Sequence, residues 1–275
     1  MRALREFLSG AEGWIGAGLL AVLVAVAAFA PILSPGDPLS IVGPSLALPF
    51  SDAAHPLGTD RLGRDLLAGL IHGARTSVTV GLAAAMVAIL AGTLVGTIAG
   101  FAGGWAEALL MRVVDAFQIV PGFLLALAFV SVFGPSLFMV VLAIAISAWT
   151  GPARLIRARV LALKQADFVA SARVLGMHPA EIAFRQIMPL ALPPVLALVG
   201  VIVAEAVLTE SALSFLGLGD PNVVTWGGMI AEGRNQLRAS PWLSIIPGLA
   251  LVLTVIATYL LGEAVTRAIA GRRRA

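Results

Sequence analysis

The 275 residues are 59% hydrophobic and only 12% charged, with a mean hydropathy of +0.99; a water-soluble domain carries about 25% charged residues, so the chain reads as an integral membrane protein. Its pI of 10.5 accompanies a net charge of only +3, and 17 of the 18 basic residues are arginines set at the ends of apolar runs, which argues against nucleic acid as a partner. The lack of cysteine removes disulfides and thiol nucleophiles, three scattered histidines offer little to a metal, and Lys164 lies in no Gly-x-x-x-x-Gly-Lys-Ser/Thr loop, so no catalytic residue, bound cofactor or metal site is assigned.

A bilayer core of about 30 Å needs roughly 20 apolar residues of helix, and six stretches qualify. The first runs from Trp14 to Leu33, without a signal-peptide cleavage pattern at its end. The second runs from Ser77 to Phe101. Residues 116–153 contain no charge and hold two spans, divided at Gly134-Pro135 because proline removes a backbone donor and clashes with the preceding turn. The fifth runs from about Pro189 to Ala204 and the sixth from Trp242 to Gly262.

Alternate sides of these spans differ in basic residues. Thirteen fall on the side of Arg2, Arg5, Arg112, residues 154–185 and the tail from Arg267 to Arg274, and five on the side of Arg61, Arg64, Arg75, Arg234 and Arg238. By the positive-inside rule both termini and the 154–188 loop are cytoplasmic, while segments 34–75 and 205–241 face outward. The chain divides into residues 1–75 (tail, first span and outward segment), 76–266 (main membrane domain) and 267–275 (basic tail, expected against anionic lipid). Gly92, Gly96 and Gly100 recur every fourth residue on one face, which suits close helix packing.

In the charged loop, Phe168, Ala172 and Leu175 share one helical face, with Asp167, Ser171 and Arg173 on the flanks. Gly176 can end that helix in a left-handed conformation, and Pro179 with Glu181 suits the start of another. The pattern is a helix, turn, helix hairpin; by itself it also fits an amphipathic loop lying on headgroups. Outside, Asp60 with Arg64 and Arg61 with Asp65 could pair if helical, whereas His55, Asp60, Asp65 and His72 have no recognised metal-ligand spacing. Glu205 and Glu210 end the fifth span, and Arg112 and Asp115 are expected to pair at the interface.

The order Ala170-Ser171-Ala172-Arg173-Val174-Leu175-Gly176, with Pro189 thirteen residues after the glycine, resembles the Glu-Ala-Ala loop of permease subunits in bacterial ABC importers. Further stretches resemble the C-type permeases of the dipeptide, oligopeptide and nickel importers: HPLGTDRLGRD (55–65), GARTS (73–77), GFAGGW (100–105), MRVVD (111–115) and ESALSFLGLGDP (210–221). Trp226-Gly227, Pro241-Trp242 and Leu261-Gly262 complete the set, over about residues 14–267. Two departures stand out. Ala170 replaces the glutamate that opens the family's loop motif, and Gly262-Glu263 replaces its Gly-Asp.

The resemblance implies an all-α, type I permease fold with six transmembrane helices in a bacterial inner membrane. It implies a homologous second permease subunit, one or two ATPase subunits that bind ATP and magnesium, a substrate-binding protein outside, and surrounding lipid. Asp167, Ala170, Ser171, Ala172, Arg173, Gly176 and Pro189 would form the ATPase-coupling loop, and Glu205, Glu210, Asp220 and Trp226 would serve the outer pathway or docking surface. Peptide is the expected substrate class, with nickel or another small solute as the alternative. A secondary transporter or channel would call for mid-span carboxylates or broken helices, and an embedded enzyme for a nucleophile and base; the six spans drawn above have uncharged centres.

Overall fold

The computed structural model describes residues 11–271, with side chains described for 13–267. Arg2, Arg5 and the Arg272–Arg274 tail lie outside the described residues. The described chain is helical, relieved by turns and two isolated β-bridges, Ile41 with Arg64 and Thr59 with Asp65. Three helices are long and apolar enough to cross a bilayer: α3 (Leu66–Ala102), α11 (Pro193–Phe215) and α13 (Trp242–Gly271). Two bent pairs could each make one further span: α4 (Gly104–Ile119) with α5 (Gly122–Phe133), and α6 (Leu137–Ala148) with α7 (Thr150–Leu163). The N-terminal α1 (Ala11–Ala28) is a shorter apolar helix, followed by one turn of α2 (Ala30–Leu33).

Several expected boundaries move. The second span begins at Leu66, because the Asp65 carboxylate accepts the Leu67 N–H at 2.9 Å and caps the helix eleven residues before Ser77. The break at Gly134 is present, with φ +90°. The stretch before it is not one straight rod: Pro121 interrupts it and α4 and α5 meet at 85°. The fourth span bends by 42° at Trp149 and continues helically to Leu163, so Arg154, Arg157 and Arg159 ride on a helix and not in a loop. The fifth span ends at Phe215, not Ala204, which puts Glu205 and Glu210 inside it.

Helix α3 is the axis of the fold, and small residues let its neighbours close in. A Cβ on Gly96 would lie 2.9 Å from Ile156 Cβ, and one on Gly100 would lie 2.9 Å from Val160 Cβ; at Gly92 it would lie 2.7 Å from Pro152 Cβ. All three glycines therefore face α7, whose backbone approaches closer than any side chain permits. Two ion pairs fasten α4 to the same helix, Arg154 to Asp115 at 2.5 Å and Arg157 to Glu107 at 2.5 Å. Asp115 is thus held by Arg154, across the bundle, and not by Arg112 as expected. At the end of α3, the Lys164 ammonium donates to the Phe101 carbonyl, meeting the negative end of the helix. Elsewhere Gly200 of α11 packs against Gly262 of α13, where an added Cβ would lie 2.9 Å from Gly262 Cα.

Candidate functional site

Beyond α7 the chain turns at Ala166 into α8 (Asp167–Val174), an eight-residue helix with Asp167 in its first turn and Arg173 in its last. Both charges complement the helix dipole. The helix closes with two hydrogen bonds that define a Schellman turn: Met177 N–H to Ala172 O at 3.1 Å and Gly176 N–H to Arg173 O at 3.0 Å. That geometry requires a left-handed residue, and Gly176 has φ +74°. The next arm starts at His178, whose Nδ1 accepts the Ala180 N–H at 3.3 Å, with Pro179 in the first helical position.

The second arm is not a plain α-helix. After one turn, α9 (Pro179–Glu181), residues Ile182–Ile187 form a π-helical stretch, and α10 (Met188–Ala191) leads into α11. Met188 N–H reaches back five residues to Ala183 O. Pro189 has no N–H to return to Arg185, and widening the preceding turn relieves the clash between its ring and that carbonyl.

The buried face of the hairpin also differs from the expected one. Val169 and Ala172 are buried, three residues apart, against Ile182, Ile187, Ile156 and Val160. Phe168 and Leu175 point away. Val174 is 88% and Leu175 80% exposed, so the tip presents two bare aliphatic side chains. Ala170, Ser171, Arg173, Gly176 and Pro189 are also exposed, and Ala170 and Arg173 share a shallow groove with Lys164 and Gln165. The structure thus gathers the hairpin residues around one projection, rooted through Val169 and Ala172 in α7.

The residues assigned to the opposite end do not form one surface. Glu210 is 2% exposed and accepts hydrogen bonds from Ser77 Oγ (3.1 Å), Ser214 Oγ (2.7 Å) and Ser211 Oγ (3.3 Å). Trp226 is 1% exposed; its indole N–H donates to Leu70 O at 3.0 Å and its backbone N–H to Ser77 Oγ at 3.4 Å. These bonds tie α3, α11 and α12 (Trp226–Gly233) together. Ser77 is the residue that sequence reasoning missed; the signal available was its place in the GARTS stretch, 133 residues before Glu210.

Asp220 ties its own loop to the start of α6, accepting Asn222 N–H at 2.9 Å and Leu137 N–H at 3.1 Å. Those bonds, the one from Asn222 first, hold its carboxyl below the usual aspartate range. Glu205 alone of the four is exposed, on a cleft of about 350 Å³ with Ser147 and Thr209. In the 34–65 segment, which is not helical, Asp60 accepts backbone N–H groups of Leu62 and Arg64 at 2.7 and 2.8 Å. Arg64 reaches both Asp60 (3.9 Å) and Glu232 (3.6 Å), while Asp65 caps α3 and sits 3.7 Å from His55. His72 is spent on the Ser34 carbonyl at 3.0 Å. Among the described residues no group of three or more acidic or histidine side chains is placed to hold a metal ion.

Comparison with known proteins places the chain in a family. Residues 92–275 match the family described as binding-protein-dependent transport system inner membrane component. The glutathione transport system permease protein GsiD of Pectobacterium atrosepticum is 36% identical over 263 residues, covering 95% of this chain and 86% of that one. The di/tripeptide transport system permease protein DppC of Pseudomonas aeruginosa is 37% identical over 92% of this chain and 86% of its own length. A probable peptide ABC transporter permease, y4tQ of Sinorhizobium fredii, is 40% identical over 90% and 85%. The fold matches a chain of the inward-facing MetNI methionine ABC transporter with a TM-score of 0.58 at 16% identity, over 75% of this chain and 97% of that one. The chain is therefore a multi-pass membrane protein and a transport component, and it belongs to the inner membrane components of binding-protein-dependent transport systems.

Proposed function

We propose that this chain is one of two paired permease subunits of an ATP-driven peptide importer in a bacterial inner membrane. A binding protein outside delivers the solute, and ATPase subunits on the cytoplasmic face receive the hairpin of residues 167–191. The observation that carries this reading is the projection itself: a tip of two exposed aliphatics and flanking charges, on a base of buried ones. Exposed apolar side chains on a rigid mount suit a partner's cleft.

The base supplies the transmission. Val169 and Ala172 press on Ile156 and Val160 of α7, and α7 lies against the glycine face of α3 without intervening side chains. Displacement of the tip therefore moves α7 and α3 as packed bodies, since close-packed cores shift between discrete arrangements more readily than they stretch. Closure of the ATPases can drive the inward-to-outward switch only to the extent that they bind the two states of the hairpin differently. ATP and magnesium belong to those subunits; this chain contributes no phosphate-cradling Gly-Lys loop.

In this reading the chain crosses the membrane six times with both termini cytoplasmic: the shorter apolar α1 is taken as a span beside the two bent pairs and the three long helices, and the arginine asymmetry orients them. The peptide class is supported by the relatives' names. Two measurements test the proposal. The purified chain alone should show no ATP hydrolysis above a detergent blank, and solute-stimulated hydrolysis should appear only with the partner subunits; saturable hydrolysis by the lone chain contradicts it. In intact cells an impermeant maleimide should label Asp60→Cys and Asn222→Cys and spare Lys164→Cys.

A further inference from the structure

Glu205 differs from the other acidic residues of the bundle. It stands near the middle of the 23-residue α11, about 15 to 18 Å from either end at 1.5 Å per residue. Its neighbours Ala204, Ala206 and Val207 are buried, yet Glu205 is exposed. A carboxylate at that depth is costly against lipid, so the face carrying it belongs to a water-filled path or a protein neighbour.

The surroundings decide between these. Glu205 opens onto the cleft of about 350 Å³ between α11, the end of α6 and the start of α5, lined also by Gly122, Phe123, Ile144, Ser147 and Thr209. None of its lining residues is basic. Both helix breaks, at Pro121 and Trp149, adjoin this cleft, and α5 starts there without a side-chain cap. Val120, Pro121 and Gly122 are all exposed. Interrupted backbone at membrane depth is tolerated where it is buried in protein or lines a watered cavity, and here it lines the same cavity as the free carboxylate.

We propose that Glu205 is the cation-recognising residue of the translocation path and takes the ammonium group of the passing solute. An ammonium has three donors; the cleft offers the Glu205 carboxylate and the hydroxyls of Ser147 and Thr209 as acceptors. The inference rests on the importer reading above, and its peptide form on the solute class proposed there: a free amino terminus is the cation that an unmodified peptide carries whatever its side chains.

The test uses the assembled importer in proteoliposomes, with partner subunits made cysteine-free. Leu208→Cys, on the lining of the cleft, is reacted with a cationic and an anionic methanethiosulfonate of equal size. With each rate divided by that reagent's rate with free 2-mercaptoethanol, the cationic reagent should react about tenfold faster when Glu205 is present, and in the Glu205→Gln background the two normalised rates should converge, because a fixed charge in a low-dielectric cleft raises local counter-ion concentration at least tenfold. A ratio that ignores Glu205, or a cysteine that only a membrane-permeant reagent reaches, overturns the proposal.

The second arm compares uptake of dialanine with uptake of N-acetyl-dialanine. Glu205→Gln should lower the ratio of free to acetylated peptide by about tenfold, the scale of one charge-assisted hydrogen bond, and Glu205→Asp should restore most of it. Equal loss of both peptides would instead mark Glu205 as a positioning residue and overturn the recognition role. If the wild-type importer carries neither peptide, the peptide reading fails while the cysteine arm still decides the role of Glu205.

Discussion

The two ends of α3 handle polar and apolar groups in opposite ways. At its start, Glu210, Ser77 and Trp226 lie buried and bonded to one another, so a carboxylate is enclosed and apolar rings are hidden. At its far end the hairpin leaves Val174 and Leu175 bare while its charges stand in the open. A closed, satisfied cluster holds helices in place; an open, apolar tip is incomplete without another chain. The contrast supports the proposed division of labour, bracing at one end and docking at the other.

Substitutions can break or sharpen that contrast. The largest effect is expected at neither end but between them: Gly96→Leu would drive a side chain into Ile156 Cβ and the Ala153 carbonyl. Overpacking of this kind costs about 1–3 kcal/mol or more, so the variant should be lost from the monodisperse peak in size-exclusion chromatography. Next comes Glu210→Leu, which strands the Ser77 and Ser214 hydroxyls that now donate to it. It should cost about 2–3 kcal/mol and lower the melting temperature in detergent, with Glu210→Gln costing less. If Glu210→Leu instead leaves the melting temperature unchanged and alters transport, the bracing end is a pathway element.

Smaller stability effects are expected at the hairpin, with larger functional ones. Gly176→Val imposes a left-handed strain of about 1–2 kcal/mol at φ +74° in otherwise open space. The chain should still insert and purify, while solute-stimulated ATP hydrolysis of the assembled complex should be abolished. The smallest effect belongs to Ala170→Glu, which restores the acidic residue of the related loops beside Lys164 and Arg173. It should change stability by less than about 0.5 kcal/mol and leave transport intact, whereas Arg173→Glu should impair coupling.

The hairpin was largely legible from sequence because its signals are local: Gly176, Pro179 and Pro189 punctuate the backbone wherever they occur. Which face is buried was not. Phe168, Ala172 and Leu175 satisfy helical spacing as well as Val169 and Ala172 do, and only the position of α7 chooses between them. Likewise Gly92, Gly96 and Gly100 announced a close approach without naming its partner. In the all-apolar stretches periodicity carries no phase, so the end of α11 was placed eleven residues early. That error had a consequence, since it made the span centres look uncharged and hid the depth of Glu205. The Pro121 break was readable by the argument applied to Gly134-Pro135. The Asp115–Arg154 and Glu107–Arg157 pairs, which join distant parts of the chain, had no local signal.

The most direct test of the docking end uses the natural absence of cysteine. Leu175→Cys, at the exposed tip, labelled with a maleimide carrying a short benzophenone, should photo-cross-link to an ATPase subunit of the purified complex, at a yield that changes when ATP is bound. The same substitution at position 222, near the bracing end, should give none. A cross-link from position 175 to the substrate-binding protein, or none to the ATPase while the complex remains active, would contradict the assignment of the hairpin as the coupling element.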